Sequence, residues 1–124
     1  MKKKIESKGA PAAIGPYSQA IEVNGTLYIA GQLPLIPGSG ELPEGITAQT
    51  KQSLMNIKAI VEEAGGSMEN IVKCAVYLKD FNDFAAMNEE YVKHFKEPYP
   101  ARLCFEVARL PRDAKVEIDS TAVL

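Results

Sequence analysis

The densest chemistry in this sequence lies in Tyr99-Pro100-Ala101-Arg102-Leu103-Cys104-Phe105-Glu106. Read as a strand, the segment places Arg102, Cys104 and Glu106 on one face and Leu103, Phe105 and Val107 on the other, because successive side chains alternate. An arginine in a half-buried cleft holds a small carboxylate through two parallel hydrogen bonds. The plainer role for the same residue is a surface ion pair. With the aliphatic set turned toward the helices, Arg102 and Cys104 are expected on the opposite, open face of the sheet. Further along, Val116-Glu117-Ile118-Asp119 sets Glu117 out of phase with Val116, Ile118 and Ser120. A carboxylate there orients or deprotonates a water beside a bound substrate, or pairs across the sheet with a lysine. A hairpin of the last two strands would bring Glu117 within reach of the strand that carries Arg102.

Other polar positions have two readings each. Asn88 lies one turn after Phe84 on the apolar side of its segment, so its amide needs partners, in backbone or in a pocket. Tyr17 follows Gly15-Pro16 and is either core or pocket wall. Cys104 as a nucleophile lacks a nearby base, since the single histidine, His94, falls late in the preceding helical segment. Cys74 sits on an apolar strand face and reads as a small core residue. One histidine and two cysteines supply a zinc site poorly, so no metal is expected. Gly38-Ser39-Gly40 has neither the lysine of a P-loop nor the spacing of a dinucleotide fingerprint.

Composition narrows the function classes. With 14 basic and 16 acidic residues the net charge is −2, which disfavours a surface built to displace phosphate counterions; no nucleic-acid partner is expected. No apolar run approaches the roughly 20 residues of a membrane span. The Lys2-Lys3-Lys4 cluster has no apolar segment behind it, so a cytoplasmic protein with reduced thiols is expected. The 124 residues, 46% of them hydrophobic, suit a single domain, 1–124.

The elements that must position these residues follow from periodicity. Tyr17 to Val23 and Thr26 to Ala30 are β-rich runs around Asn24-Gly25, the dipeptide of a type I′ hairpin turn. From Ile46 to Ala64, Leu54, Ile57, Val61 and Ala64 recur at helical spacing, with Lys51, Lys58 and Glu62 off the stripe and Gly65-Gly66 as the stop. Ile71 to Leu78 alternates, with Val72, Cys74, Val76 and Leu78 expected on one face. Asp80 can cap a second helix with Phe84, Met87, Tyr91 and Phe95 buried, ended by Pro98. Ala101 to Ala108 and Lys115 to Val123 read as the last strands. The order β-β-β-α-β-α-β-β predicts an α+β fold, a mixed sheet with two helices on one face. Nothing remains to cover the other face, which points to an oligomer packed sheet against sheet.

Taken together, Ala13-Ile14-Gly15-Pro16-Tyr17-Ser18-Gln19, Ala30-Gly31-Gln32-Leu33-Pro34, Pro100-Ala101-Arg102-Leu103-Cys104 and Val116-Glu117-Ile118 resemble the Rid family of reactive-imine deaminases, the YjgF type. The resemblance runs from near residue 5 almost to the end. It implies a chorismate-mutase-like fold and a homotrimer whose sheets form a central barrel, with active sites between subunits and no cofactor. The implied reaction is hydrolysis of 2-imino acids (2-iminobutanoate, 2-iminopropanoate) to 2-ketoacids and ammonia, which protects pyridoxal-phosphate enzymes. By matching position, Arg102 would grip the substrate carboxylate and Glu117 would position the water. Cys104 would offer its backbone N–H, and Tyr17, Gly31, Gln32 and Asn88 would line or support the pocket. Ala30 departs from a serine common in imine-hydrolysing members, and Leu103 from a smaller residue. A ketoacid-binding regulatory protein without turnover is the alternative.

Overall fold

A computed structural model describes residues 1–124. Six strands and two helices run in the order β1 (Lys3–Ile5), β2 (Ala20–Val23), β3 (Thr26–Gln32), α1 (Gly45–Glu63), β4 (Ile71–Leu78), α2 (Phe84–Tyr91), β5 (Ala101–Glu106) and β6 (Val116–Val123). The strands form one mixed sheet, β1-β2-β3-β6-β4-β5. All neighbours are antiparallel except β4 and β5, which run parallel around the α2 crossover. The strands around Asn24-Gly25 pair as expected, with φ of 51° and 81° at the turn.

Both helices lie over one face. α1 buries Leu54, Ile57, Ile60 and Val61 completely, against Leu27, Val76, Val116 and Ile118 from the sheet. The opposite face is uncovered within the chain, and Tyr28, Phe105 and Val123 stand there 52%, 56% and 50% exposed. No helix is long and apolar enough to cross a membrane.

Several local expectations are corrected. The second helix is shorter: Asp80 accepts from the Asn82 N–H to cap a 3₁₀ turn, α2 ends at Tyr91, another 3₁₀ turn covers Val92–His94, and Phe95 is extended though buried. A register shift between Ile71 and Lys73 turns Ile71 inward and leaves Val72 47% exposed, so Val72 is not on the core face. β6 does not pair with β5 in a hairpin; it inserts between β3 and β4. The first of the three strands expected before α1, whose residues the sequence reading did not locate, is β1 at the basic start of the chain, an edge strand with no apolar alternation.

A second feature of α1 has no counterpart in its hydrophobic stripe. Gln49, Ser53 and Asn56, at helical spacing, are buried polar residues. Gln49 donates to the Pro43 carbonyl and accepts from the Lys115 N–H at 2.8 Å. Ser53 donates to the Gln32 carbonyl at 3.0 Å, and Asn56 donates to the carbonyls of Leu33 and Leu35. α1 thereby holds both the exit of β3 and the entry to β6.

Truncating Ile57 to alanine removes apolar contacts from the centre of this layer. Denaturant unfolding of Ile57→Ala should show a loss of about 2–5 kcal/mol; a loss of about 0.5 kcal/mol or less, as at exposed sites, would contradict the packing described.

Candidate active site

Arg102 is paired in register with Cys74, which is fully buried beneath the helices. Paired residues share a sheet face, so Arg102 points to the helix side and not to the open side expected from its aliphatic neighbours. The reversal has a physical cause. β5 is an edge strand, and what α2 offers above it is not an aliphatic surface but Phe84, Asn88 and Tyr91. The guanidinium sits 4.7 Å from the Tyr91 ring centre and 5.6 Å from that of Phe84, and Nη1 donates to Asn88 Oδ1 at 2.7 Å. Aromatic faces and a neutral amide orient a cation without neutralising it. None of the ion pairs in the protein involves Arg102. Of its five N–H donors, most remain free toward a recess of about 420 Å³ lined by Asn88, Tyr91, Val92, Tyr99 and Pro100. An unneutralised arginine in such a niche is suited to an anion with two adjacent oxygens.

Cys104 shares the face of Arg102 and packs partly against the core. Burial pushes its thiol above the ordinary range, opposed by the Arg102 charge, so a reactive thiolate is disfavoured. His94 is engaged with Glu90 at 2.7 Å and does not pair with a cysteine. The Val107 N–H donates to Leu78 O. In a parallel strand every second residue bonds inward, so the Cys104 N–H points to the free edge of β5.

Glu117 lies on the other face. Its partner across β4 is Tyr77, not a lysine, and it forms no ion pair. It borders a cavity of about 690 Å³ together with Tyr17, Ala30, Gly31, Gln32, Tyr77 and Asp119. Gly31 permits this placement: a Cβ there would stand 3.1 Å from both Cδ and Oε2 of Glu117. Gln32 is buried, bonds the Ala30 carbonyl and gives its own carbonyl to Ser53, so it supports the wall. Tyr17 is 55% exposed, carried by the Gly15-Pro16 turn in which Gly15 has φ 129°. Desolvation raises the Glu117 carboxyl above its ordinary range, and the charge of Asp119 adds to the effect.

The residues singled out from the sequence thus fall into two groups. Arg102, Asn88 and Cys104 stand on the helix side at the β5 edge, and Tyr17, Gly31, Gln32 and Glu117 around the open-face cavity. One chain does not bring Arg102 to Glu117. Sequence reading missed Tyr77 and Asp119, and also the α1 row of Gln49, Ser53 and Asn56. The signal for the row was present, as polar residues recurring at helical spacing inside an amphipathic pattern.

The family model described as Endoribonuclease L-PSP matches residues 7–124. The chain belongs to this YjgF/Rid family. Among curated Rid relatives, a RutC family protein of Pasteurella multocida is 54% identical, covering 99% of this chain and 98% of its own length. The 2-iminobutanoate/2-iminopropanoate deaminase of Escherichia coli is 49% identical, with 99% and 98% covered. Among solved Rid structures, E. coli TdcF with bound serine superimposes at TM-score 0.94 with 46% identity and 98% of each chain covered. RidA from an Antarctic Psychrobacter gives 0.95 with 49% identity, covering 98% of this chain and 99% of its own.

The raised Glu117 carboxyl has a consequence for stability. Below the ordinary glutamate value of about 4.5, both folded and unfolded states hold the proton and nothing is lost. As pH rises, the unfolded chain ionises first, so stability falls until Glu117 ionises in the folded state as well. Glu117→Gln should therefore unfold at higher denaturant than the parent at pH 7, with the gap closing toward pH 4. An equal midpoint at both pH values would contradict the buried, charge-opposed setting of this residue.

Proposed function

We propose that the protein hydrolyses 2-imino acids and their enamine tautomers, 2-iminobutanoate and 2-iminopropanoate among them, to 2-ketoacids and ammonia. The site forms in a homotrimer where the Arg102 recess of one copy meets the Glu117 cavity of the next. The observation that carries this reading is the division itself: a free cation and an activated carboxylate occupy opposite faces of one sheet. Only assembly makes them neighbours. The open sheet face, with Tyr28, Phe105 and Val123 half exposed, supplies apolar area for that assembly. The named activity of the 49% identical E. coli deaminase supports the same reading, and so does serine, an α-amino acid carboxylate, in the TdcF structure.

The chemistry asks little beyond positioning. Arg102 holds the substrate carboxylate, and the protonated C=N carbon is already electrophilic. Glu117 takes a proton as the water oxygen bonds to C2, while the C=N π pair moves onto nitrogen to give a carbinolamine. The carboxylic acid then returns its proton to nitrogen, and the C–N bond breaks with ammonia as leaving group. The hydroxyl oxygen forms the ketone and releases its proton, so iminium plus water gives ketoacid plus ammonium. Removing such imines as they form would shield pyridoxal-phosphate enzymes from them. The family model's ribonuclease description draws less support, since the single His94 is held by Glu90 and no second histidine exists for paired acid–base work. Ala30 in the cavity wall offers no hydroxyl to a ligand, and this favours the second reading, ketoacid binding without turnover.

In a dehydratase-coupled assay, Arg102→Ala and Glu117→Gln should each lower imine hydrolysis at least about 100-fold. Gly31→Ala, which pushes the Glu117 carboxylate from its place, should lower kcat with the fold intact. Tight ketoacid binding by a parent protein that never accelerates ammonia release would establish the binding reading instead. Co-refolding Arg102→Ala with Glu117→Gln chains in equal amounts tests the shared site. Random assembly leaves about one quarter of interfaces with both groups intact, so about that share of activity should return. No recovery would mean that both groups act from the same subunit.

A further inference from the structure

We infer that Tyr77 and Asp119 form a positioning pair that keeps a second negative charge beside Glu117 and makes Glu117 the stronger base toward water. The inference rests on the role of Glu117 proposed above. It begins from the register of β4 and β6, which sets Tyr77 directly across from Glu117 and Ala75 across from Asp119. The Tyr77 side chain reaches diagonally, past Glu117, and its hydroxyl donates to Asp119 Oδ2 at 3.1 Å. All three residues border the same cavity.

Asp119 forms no ion pair. A half-buried aspartate without a cation partner tends to take up a proton; burial does push Asp119 upward, while the Tyr77 hydrogen bond and the charge of Lys73 oppose it. The tyrosine therefore stabilises the charged form of Asp119. That charge, two residues along the same strand face, disfavours ionisation of Glu117 and so raises its affinity for a proton. For a group that must take a proton from water, greater basicity is the useful direction, provided the group is still ionised at working pH. Within one chain the titratable groups around Glu117 are few. The assembly proposed above adds one cation, the Arg102 of the next copy, whose charge is met by the substrate carboxylate and works against the Asp119 effect when the site is empty. Tyr77 comes from β4, Asp119 from its own strand and Tyr17 from the loop before β2, while Lys73 of β4 acts on Asp119. β3 contributes uncharged Gly31 and Gln32, and the turn before β6 contributes Pro111. Within the chain no cation lies at ion-pair distance from Asp119.

The test is the pH profile of kcat/KM for imine hydrolysis in the parent, Asp119→Asn, Asp119→Glu and Tyr77→Phe, alongside ¹³C carboxyl NMR titration of Glu117 in the same assembled proteins. In Asp119→Asn both the acid limb and the Glu117 titration should move down by roughly half a unit to one unit. Tyr77→Phe should move them the same way by less, because Asp119 then protonates more readily. Asp119→Glu should keep the parent's limb. A limb and titration left unmoved by Asp119→Asn, with or without a uniform drop in kcat, would overturn the inference. So would a limb displaced as far by Asp119→Glu as by Asp119→Asn. A parent protein without imine turnover would instead overturn the functional reading, and the NMR titration would still decide whether the pair acts on Glu117.

Discussion

The geometry depends on a row of three buried polar side chains on α1. A buried amide or hydroxyl is costly unless its hydrogen bonds are made, so Gln49, Ser53 and Asn56 fix whatever they bond. They bond the two segments that must meet at Glu117: the exit of β3, through the carbonyls of Gln32, Leu33 and Leu35, and the entry of β6, through the Lys115 N–H. The apolar stripe of the same helix supplies the adhesion, but it is indifferent to small slides along the sheet. The polar row is not. The close approach of Gly31 to the Glu117 carboxylate therefore follows from a helix whose polar row bonds neither residue.

The two faces of the sheet solve opposite electrostatic problems. On the helix side a cation is lodged among π faces and a neutral amide, arranged so that its charge is not spent within the chain. On the open side a carboxylate is half desolvated and beside a like charge, which makes it reluctant to ionise. The setting of Glu117 is mildly unfavourable to the folded chain alone, and groups of that kind concentrate where chemistry is done. β4 is the strand common to both, pairing with Arg102 through Cys74 and with Glu117 through Tyr77.

Much of this was legible from the residues. The Asn24-Gly25 turn, the α1 stripe with its glycine stop and the phase of β6 all obeyed local rules, and each residue's own neighbours in sequence decided them. Asn88 carried its meaning in type alone, as an amide on an apolar face, whereas Gly31 came only through the family resemblance and its close approach to Glu117 needed the fold. What failed was anything set by a partner distant in sequence. The face of Arg102 depended on what α2 presents to an edge strand, the burial of Val72 on a register shift against β6, and the placement of β6 on β3 instead of β5. Alternation says which residues share a face but not which face meets the core. Tyr77 and Asp119 escaped for the same reason, because their bond crosses from one strand to another.

The amino-terminal segment is anchored to the pocket wall. Gln19 is buried and bonds Ser7 through both backbone groups, and its amide also reaches the Pro11 carbonyl at 2.8 Å. Pro11, Ala12 and Ile14 then form part of the wall of the Glu117 cavity. The carboxyl end, by contrast, is tied at Gly25 and Asn70 and borders no part of that cavity. The two termini are thus unequal places to attach anything. A fusion or affinity tag ahead of β1 would pull on a strand of only three residues and, through Gln19, on the pocket wall. An addition after Leu124 would spare that wall but would sit beside Val123, on the face proposed for assembly.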